Sequence, residues 1–321
     1  MSYAGPPQAR LAHAPGTIRI GVCWLALMLM GPLPVTPALP QNPGLGTPRK
    51  NVNIVSVVFT VRDAHGALVA NLSKDSFEVL EDGRPQTIKY FSAETDLPLT
   101  LGLVIDTSGS MQRMLPEEKI VAADFLRQVI TEKDLAFVMS FDISVDLLQD
   151  LTSDGRLLRS GLEKARINVG GGAHPKGTLL FDAIYLASDE ILGKQVGRKA
   201  MVILTDGTDE GSRLKLGDAI AAAQKADAIC YVLLLSDPQY GSDRAAIAAL
   251  AEETGGRMIA ITRPEDIGIA LAHMARELRS QYSLAYSPEN DKRDGTFRKI
   301  EIKAKPGYKV QARTGYYAPK S

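Results

Sequence analysis

Residues 99–111, Leu-Thr-Leu-Gly-Leu-Val-Ile-Asp-Thr-Ser-Gly-Ser-Met, constrain the fold more than any other stretch of the chain. The first half is an almost unbroken apolar run that includes β-branched Val104 and Ile105. A run of this kind reads as a strand buried on both faces, as in a parallel sheet covered by helices. It stops at Asp106, and Ser108 and Ser110 follow at alternate positions. Three small oxygen side chains therefore stand where a strand ends and a loop turns towards a helix, the place where open α/β sheets bind ligands. One carboxylate with two hydroxyls and room for water suits a hard divalent cation such as Mg²⁺.

The stretch that follows keeps the same alternation from 97 to 286. Residues 116–131 are amphipathic, with Ile120, Val121, Phe125, Leu126, Val129 and Ile130 expected on one face. A strand is predicted over 135–141, with 145–151 as an antiparallel edge beside it. Helices are predicted over 154–167, with Asp154 as N-cap, and over 178–192. Strands at 200–204, 228–235 and 257–261 alternate with helices at 216–226, 243–253 and 264–279, and residues 282–286 form a last strand. This pattern predicts an α/β fold: a doubly wound, mostly parallel sheet with helices on both faces.

The flanks have a different texture. Residues 50–95 hold a valine-rich alternating strand, then two short strands around Glu81-Asp-Gly-Arg84, a tight hairpin turn of the Asp-Gly kind. Residues 287–321 hold a strictly alternating strand at 297–304, a Pro306-Gly307 turn and a strand at 308–312, read as a C-terminal β-hairpin. Neither piece looks self-sufficient, so the two are expected to join as one small β-sandwich-like unit with the α/β domain inserted between them.

The N-terminus addresses compartment. Residues 1–19 carry Arg10 and Arg19 and no acid, 20–30 are apolar, and 31–48 are rich in proline and glycine. That is the layout of a secretory signal over 1–38, followed by a linker over 39–50, with an uncleaved anchor as the other reading. The apolar run is too short to span a bilayer comfortably. The expected location is secreted or periplasmic, with no stable membrane span after cleavage. Cys230, in an apolar strand, would be the only cysteine left, so the fold is held by its core and not by a disulfide. The zero net charge of the whole chain points to no nucleic-acid partner.

Two further loops should reach the end of the sheet that holds Asp106. Thr178 follows the glycine-rich loop at 168–177, and Asp206 follows another apolar strand in Thr205-Asp-Gly207. Asp106, Ser108, Ser110 and Thr178 are the candidate metal ligands, with Asp206 as a second carboxylate acting through water; Mg²⁺, Mn²⁺ or Ca²⁺ is the expected ion. Few direct negative charges would leave the metal electrophilic, with an open position for a partner's carboxylate. Asp106-Thr-Ser-Gly-Ser110, Thr178 and Thr205-Asp-Gly207 resemble the metal-ion-dependent adhesion site of von Willebrand factor type A domains in order, separation and strand-end placement. The resemblance covers roughly 97–286. The flanking segments at 69–83 and 313–317 resemble a bacterial, acidobacterial-type group of secreted proteins related to that domain, for which the resemblance implies a fold and no known activity. Thr208 stands where many relatives carry an acid, and Asp209 is not assigned as a ligand.

Several other residues have ordinary roles open to them. His174 neighbours the proposed site, and Asp142 follows a strand, as a second-sphere group or a plain loop aspartate. His65 and His273 have no metal-ligand mate. The expected function is a secreted, metal-dependent protein-binding module of the adhesion type, whose partner supplies an Asp or Glu carboxylate. A metal-free structural spacer is the alternative. A hydrolase on a similar frame fits less well. A phosphatase with a strand-end aspartate nucleophile wants a second acid two residues on, where this chain has Ser108, and Ser108 has no histidine mate for acyl transfer. The chain is therefore not expected to be an enzyme.

Overall fold

The structure is a computed structural model that describes residues 54–93, 97–168, 177–235 and 243–320. The signal segment, the linker and His174 lie outside the described residues. The strands and helices, in chain order, begin with β1 (Val55–Asp63), β2 (Phe77–Glu81), β3 (Arg84–Gln86) and β4 (Ile88–Ser92). The α/β layer then runs β5 (Leu99–Asp106), α1 (Leu115–Val129), β6 (Leu135–Phe141), β7 (Val145–Thr152), α2 (Gly155–Lys164) and α3 (Leu180–Leu186). It continues through β8 (Arg198–Thr205), α4 (Leu216–Lys225), β9 (Ala228–Leu235), α5 (Arg244–Thr254), β10 (Met258–Ile261) and α6 (Ile267–Arg279). The chain closes with β11 (Tyr282–Tyr286), β12 (Phe297–Ala304), β13 (Tyr308–Ala312) and β14 (Gly315–Tyr317).

The central sheet has six strands in the order β10-β9-β8-β5-β6-β7. All neighbours are parallel except the β6–β7 edge pair. Each fully buried strand divides its side chains between two cores. Leu99, Leu101, Leu103 and Ile105 of β5 face a core shared with α1, α2 and α6, while Val104 faces one shared with α3, α4 and α5. Gly102 lies on that second side, where a Cβ would come within 2.4 Å of the tip of the Phe137 ring, so the aromatic fits against β5 only because the position is glycine. The chain leaves β5 through α1 to β6 on one side and later enters β8 on the other. The order therefore reverses at the β5–β8 seam, and the crevice of a doubly wound sheet opens at the carboxyl ends of those two strands.

The flanks fold together. One antiparallel sheet has the order β13-β1-β11-β4 and the other β14-β12-β2-β3, so each mixes strands from before and after the α/β layer. Val57, Phe59, Val61, Val79, Tyr282, Leu284, Ile300 and Ile302 form their shared core, and Phe59 stacks on Tyr282 at 5.3 Å between centroids. The Asp-Gly turn joins β2 to β3 with both central residues in the left-handed region, Asp82 at φ 49° and Gly83 at φ 81°, the conformation a two-residue hairpin turn of this kind requires.

Three details differ from the sequence-based expectation. The strand expected to end the α/β sheet, β11, lies instead between β1 and β4 of the flanking unit. Its Tyr-Ser-Leu-Ala-Tyr pattern buries Tyr282, Leu284 and Tyr286 in the sandwich core, the period of a strand with one core-facing side. The expected C-terminal hairpin is split, because β12 pairs with β2 and β14 whereas β13 pairs with β1 in the opposite sheet. In α1 the buried face is Leu115, Glu118, Ala122, Phe125, Leu126 and Val129, and Ile120 is 63% exposed. Among the described residues, no helix is long and apolar enough to cross a membrane.

The sandwich and the α/β layer are tied at defined points. Glu277 of α6 is wholly buried and pairs with Arg62 of β1 and, at 2.7 Å, with Arg257 before β10. Arg313, after β13, pairs with Asp227 and donates to the Ser56 carbonyl at 2.8 Å.

Candidate metal centre

The carboxyl ends of β5 and β8 bring Asp106, Ser108, Ser110 and Asp206 to one end of the sheet. Ile105 and Leu204 are register partners, so Asp106 and Asp206 leave adjacent strands almost together. Both are buried. The Asp106 carboxylate accepts from the Ser108 amide (2.9 Å, Oδ1) and from the Thr205 hydroxyl (2.7 Å, Oδ2). Thr205 Oγ1 in turn accepts from the Gly207 amide at 3.0 Å. Gly207 sits at φ 83°, a turn that an L side chain would strain. The Asp206 carboxylate accepts from the Thr208 amide at 2.9 Å, which fixes it across its own loop. Ser108 Oγ and Ser110 Oγ lie 3.0 Å apart.

The remaining ligand candidate comes from the loop before α3. Thr178 is buried and exchanges both backbone hydrogen bonds with Glu210, each 2.9 Å, so the loop that carries it is latched to the loop after β8. Asp142 completes the framework. Its carboxylate accepts from the Thr107 hydroxyl at 3.0 Å, and its carbonyl accepts from the Leu179 amide at 2.8 Å. It is thus a strut between the Asp106 loop and the Thr178 loop. Asp209 caps α3, accepting from the Phe181 amide (3.1 Å) and the Ser212 hydroxyl (2.6 Å). His65 and His273 stand in a surface turn and on the exposed side of α6.

The electrostatics favour a cation. Burial pushes the Asp106 carboxyl from its ordinary 3.8 up to about 7. The Ser108 and Thr205 hydrogen bonds pull it down and the Asp206 charge pushes it up, and no basic side chain is among the groups that act on it. Two acids buried side by side at a strand end suit a bound divalent ion. The five side chains present oxygen and no sulfur or imidazole, a donor set for a hard cation. Among the described residues, no three His, Cys, Asp or Glu groups gather closely enough to hold a metal by themselves. A cation at this strand end would have to draw on hydroxyls and water besides carboxylate.

The family model of the von Willebrand factor type A domain matches residues 101–208, from the first buried strand through the Thr-Asp-Gly loop. The chain carries a von Willebrand factor type A domain. Among solved structures, proximal thread matrix protein 1 of the mussel byssus, with a zinc-occupied MIDAS motif, aligns at 13% identity over 62% of this chain and 50% of its own, with a TM-score of 0.51. The chain thus spans about half of that mussel protein. A von Willebrand factor type A protein from Catenulispora acidiphila aligns at 13% identity over 84% and 74%, with a TM-score of 0.47. The conserved hypothetical protein BatB from Bacteroides thetaiotaomicron aligns at 18% over 56% and 97%, also with a TM-score of 0.47. No curated protein sequence matches the chain.

One buried acid lies outside the motif. Glu118, in the first turn of α1, is fully buried, and neither carboxylate oxygen has a hydrogen-bond partner. Burial raises its pKa well above the ordinary range, and the Asp106 charge raises it further. The signal was present in the sequence: 118, 122, 125, 126 and 129 share a helical face, and that face placed an acid among apolar residues.

Proposed function

We propose that this chain is an exported, metal-dependent protein-binding module. Asp106, Ser108, Ser110 and Thr178 hold a divalent cation, Asp206 contributes through water, and an open position takes an Asp or Glu carboxylate from a partner protein. The observation that carries this reading is the buried pair Asp106 and Asp206 at the β5–β8 seam, with the Ser108 amide and the Thr205 hydroxyl bonded to Asp106. The oxygen donor set supports Mg²⁺, Mn²⁺ or Ca²⁺; the zinc-occupied site of the mussel protein adds Zn²⁺ to the ions worth testing. The bound ion supplies positive charge that orients a carboxylate, and the protein supplies the rigid loops around it. Catalysis forms no part of the proposal, since Ser108 stands where a general acid would be needed and no histidine among the described residues reaches it.

The test is thermal unfolding of residues 39–321 after chelator treatment, titrated with Mg²⁺, Mn²⁺, Ca²⁺ and Zn²⁺, beside Asp106→Ala. An ion that binds only the folded state adds about 2.7 kcal/mol at a hundred times Kd. The wild type should gain this and Asp106→Ala should not. An equal response in both proteins removes the site.

A further inference from the structure

Glu118 is the one carboxylate among the described residues whose two oxygens are both buried and both without a hydrogen-bond partner. A side chain that merely filled this part of the core would serve better as methionine or leucine, because an unpaired buried acid loses its hydration and gains nothing in return. The helix does not need it either. Its amide takes the first-turn bond to the Met114 carbonyl at 3.0 Å, and Glu117 beside it is half-buried and already offers an acid to the helix N-terminus. The charge that acts on Glu118 is Asp106, the central residue of the candidate site. The helix that carries it follows directly from the Ser108–Ser110 loop, through a short turn over Gly109–Arg113.

We propose that Glu118 is a third carboxyl of the metal centre, a positioning residue that lies outside the ligand set and holds water carried by the cation. This rests on the metal-binding reading of Asp106 given above. Glu118 does not ligate directly, consistent with the lack of any tight three-acid cluster among the described residues. It offers two carboxyl oxygens that the folded protein leaves unused. Partners of this kind usually change metal affinity ten- to hundredfold.

The experiment compares wild type, Asp106→Ala, Glu118→Gln and Glu118→Met by Mn²⁺ titration calorimetry, with thermal melts of each protein in chelator. Glu118→Gln keeps the shape and the hydrogen-bonding capacity but drops the charge; Glu118→Met keeps only the volume. In chelator both Glu118 variants should melt at or above the wild type, since each removes an unpaired buried acid. Their Mn²⁺ affinity should nevertheless fall about ten- to hundredfold, with methionine weaker than glutamine. This ordering, opposite to that of their stability, separates a role at the metal from a role in packing. If both variants bind Mn²⁺ like the wild type while Asp106→Ala does not, the metal site stands and Glu118 has no part in it. If both unfold in chelator, Glu118 is a packing residue and the proposal fails. If the wild type itself binds no Mn²⁺, the metal-centre reading fails and this inference with it.

Discussion

Replacing Asp106 by Asn should stabilise the metal-free protein at alkaline pH and leave its stability nearly unchanged near pH 4.5. Asp106 is fully buried, and burial holds its carboxyl near 7 in the folded state against 3.8 when unfolded. A carboxyl whose folded value lies above its unfolded value takes up a proton on folding between those limits, so stability falls as pH rises through about 4 to 7 and levels off above. A displacement of that size corresponds to ~4 kcal/mol between pH 4 and pH 8. An amide cannot ionise and loses this dependence. It also turns one acceptor into a donor towards Thr205 Oγ1, which in the wild type donates to Asp106 Oδ2 at 2.7 Å; rearranging that bond costs about 1 kcal/mol. The net expectation in chelator is a gain of about 3 kcal/mol at pH 8 that shrinks to about zero near pH 4.5, where the unfolded carboxyl is already mostly ionised. Glu118 titrates in both proteins, but in the variant it is freed from the upward push of the Asp106 charge, which adds to the gain at pH 8. Urea unfolding followed by circular dichroism at the two pH values measures it. With saturating Mg²⁺ at pH 8 the wild type should recover its deficit, and the Asp106→Asn variant should not respond. An Asp106→Asn protein less stable than wild type at pH 8 in chelator, or a difference that ignores pH, would refute the claim that burial pushes this carboxyl up.

Other consequences are open to direct measurement. Mn²⁺ affinity of the wild type should fall as pH drops below about 7, because protons compete for Asp106; calorimetry at pH 6 and pH 8 reads the change. Glu277→Ala should lower stability by roughly 2–3 kcal/mol in a denaturant titration, below the usual cost of breaking a buried pair because Arg62 and Arg257 each keep about a quarter of their side-chain surface in water. Tyr286→Phe removes a 2.8 Å hydrogen bond to the buried Glu81 carboxylate, which also accepts from Tyr316 at 3.0 Å, and should cost roughly 1.5–2 kcal/mol by the same assay. Cys230 is fully buried on β9 and its thiol is pushed up to about 12 by burial, so it should react with a thiol reagent only after the protein is unfolded.

The sequence by itself determined the elements and the ends of the sheet that carry chemistry. The run at 99–106, the strand before Thr205-Asp-Gly207 and the helical patterns between them are local signals, since burial on two faces demands a continuous apolar run and a helix demands a 3.6-residue period. The Asp-Gly turn at 82–83 and the Asp154 cap are legible for the same reason: their geometry is set within four residues. Only the tertiary structure decided which strands are neighbours. That β5 lies beside β8, setting Asp106 against Asp206, follows from the sheet order. So does the capture of β11 by the flanking sandwich, where Tyr282 meets Phe59 from more than two hundred residues earlier. Glu118 belongs to the same class. Its position on a helix was readable, but the depth of that helix face is set by α2, α6 and β5 packing around it. Local pattern fixes the direction in which a side chain points along its own element; what stands there, and whether water is excluded, depends on contacts that the chain makes only after it has folded back on itself.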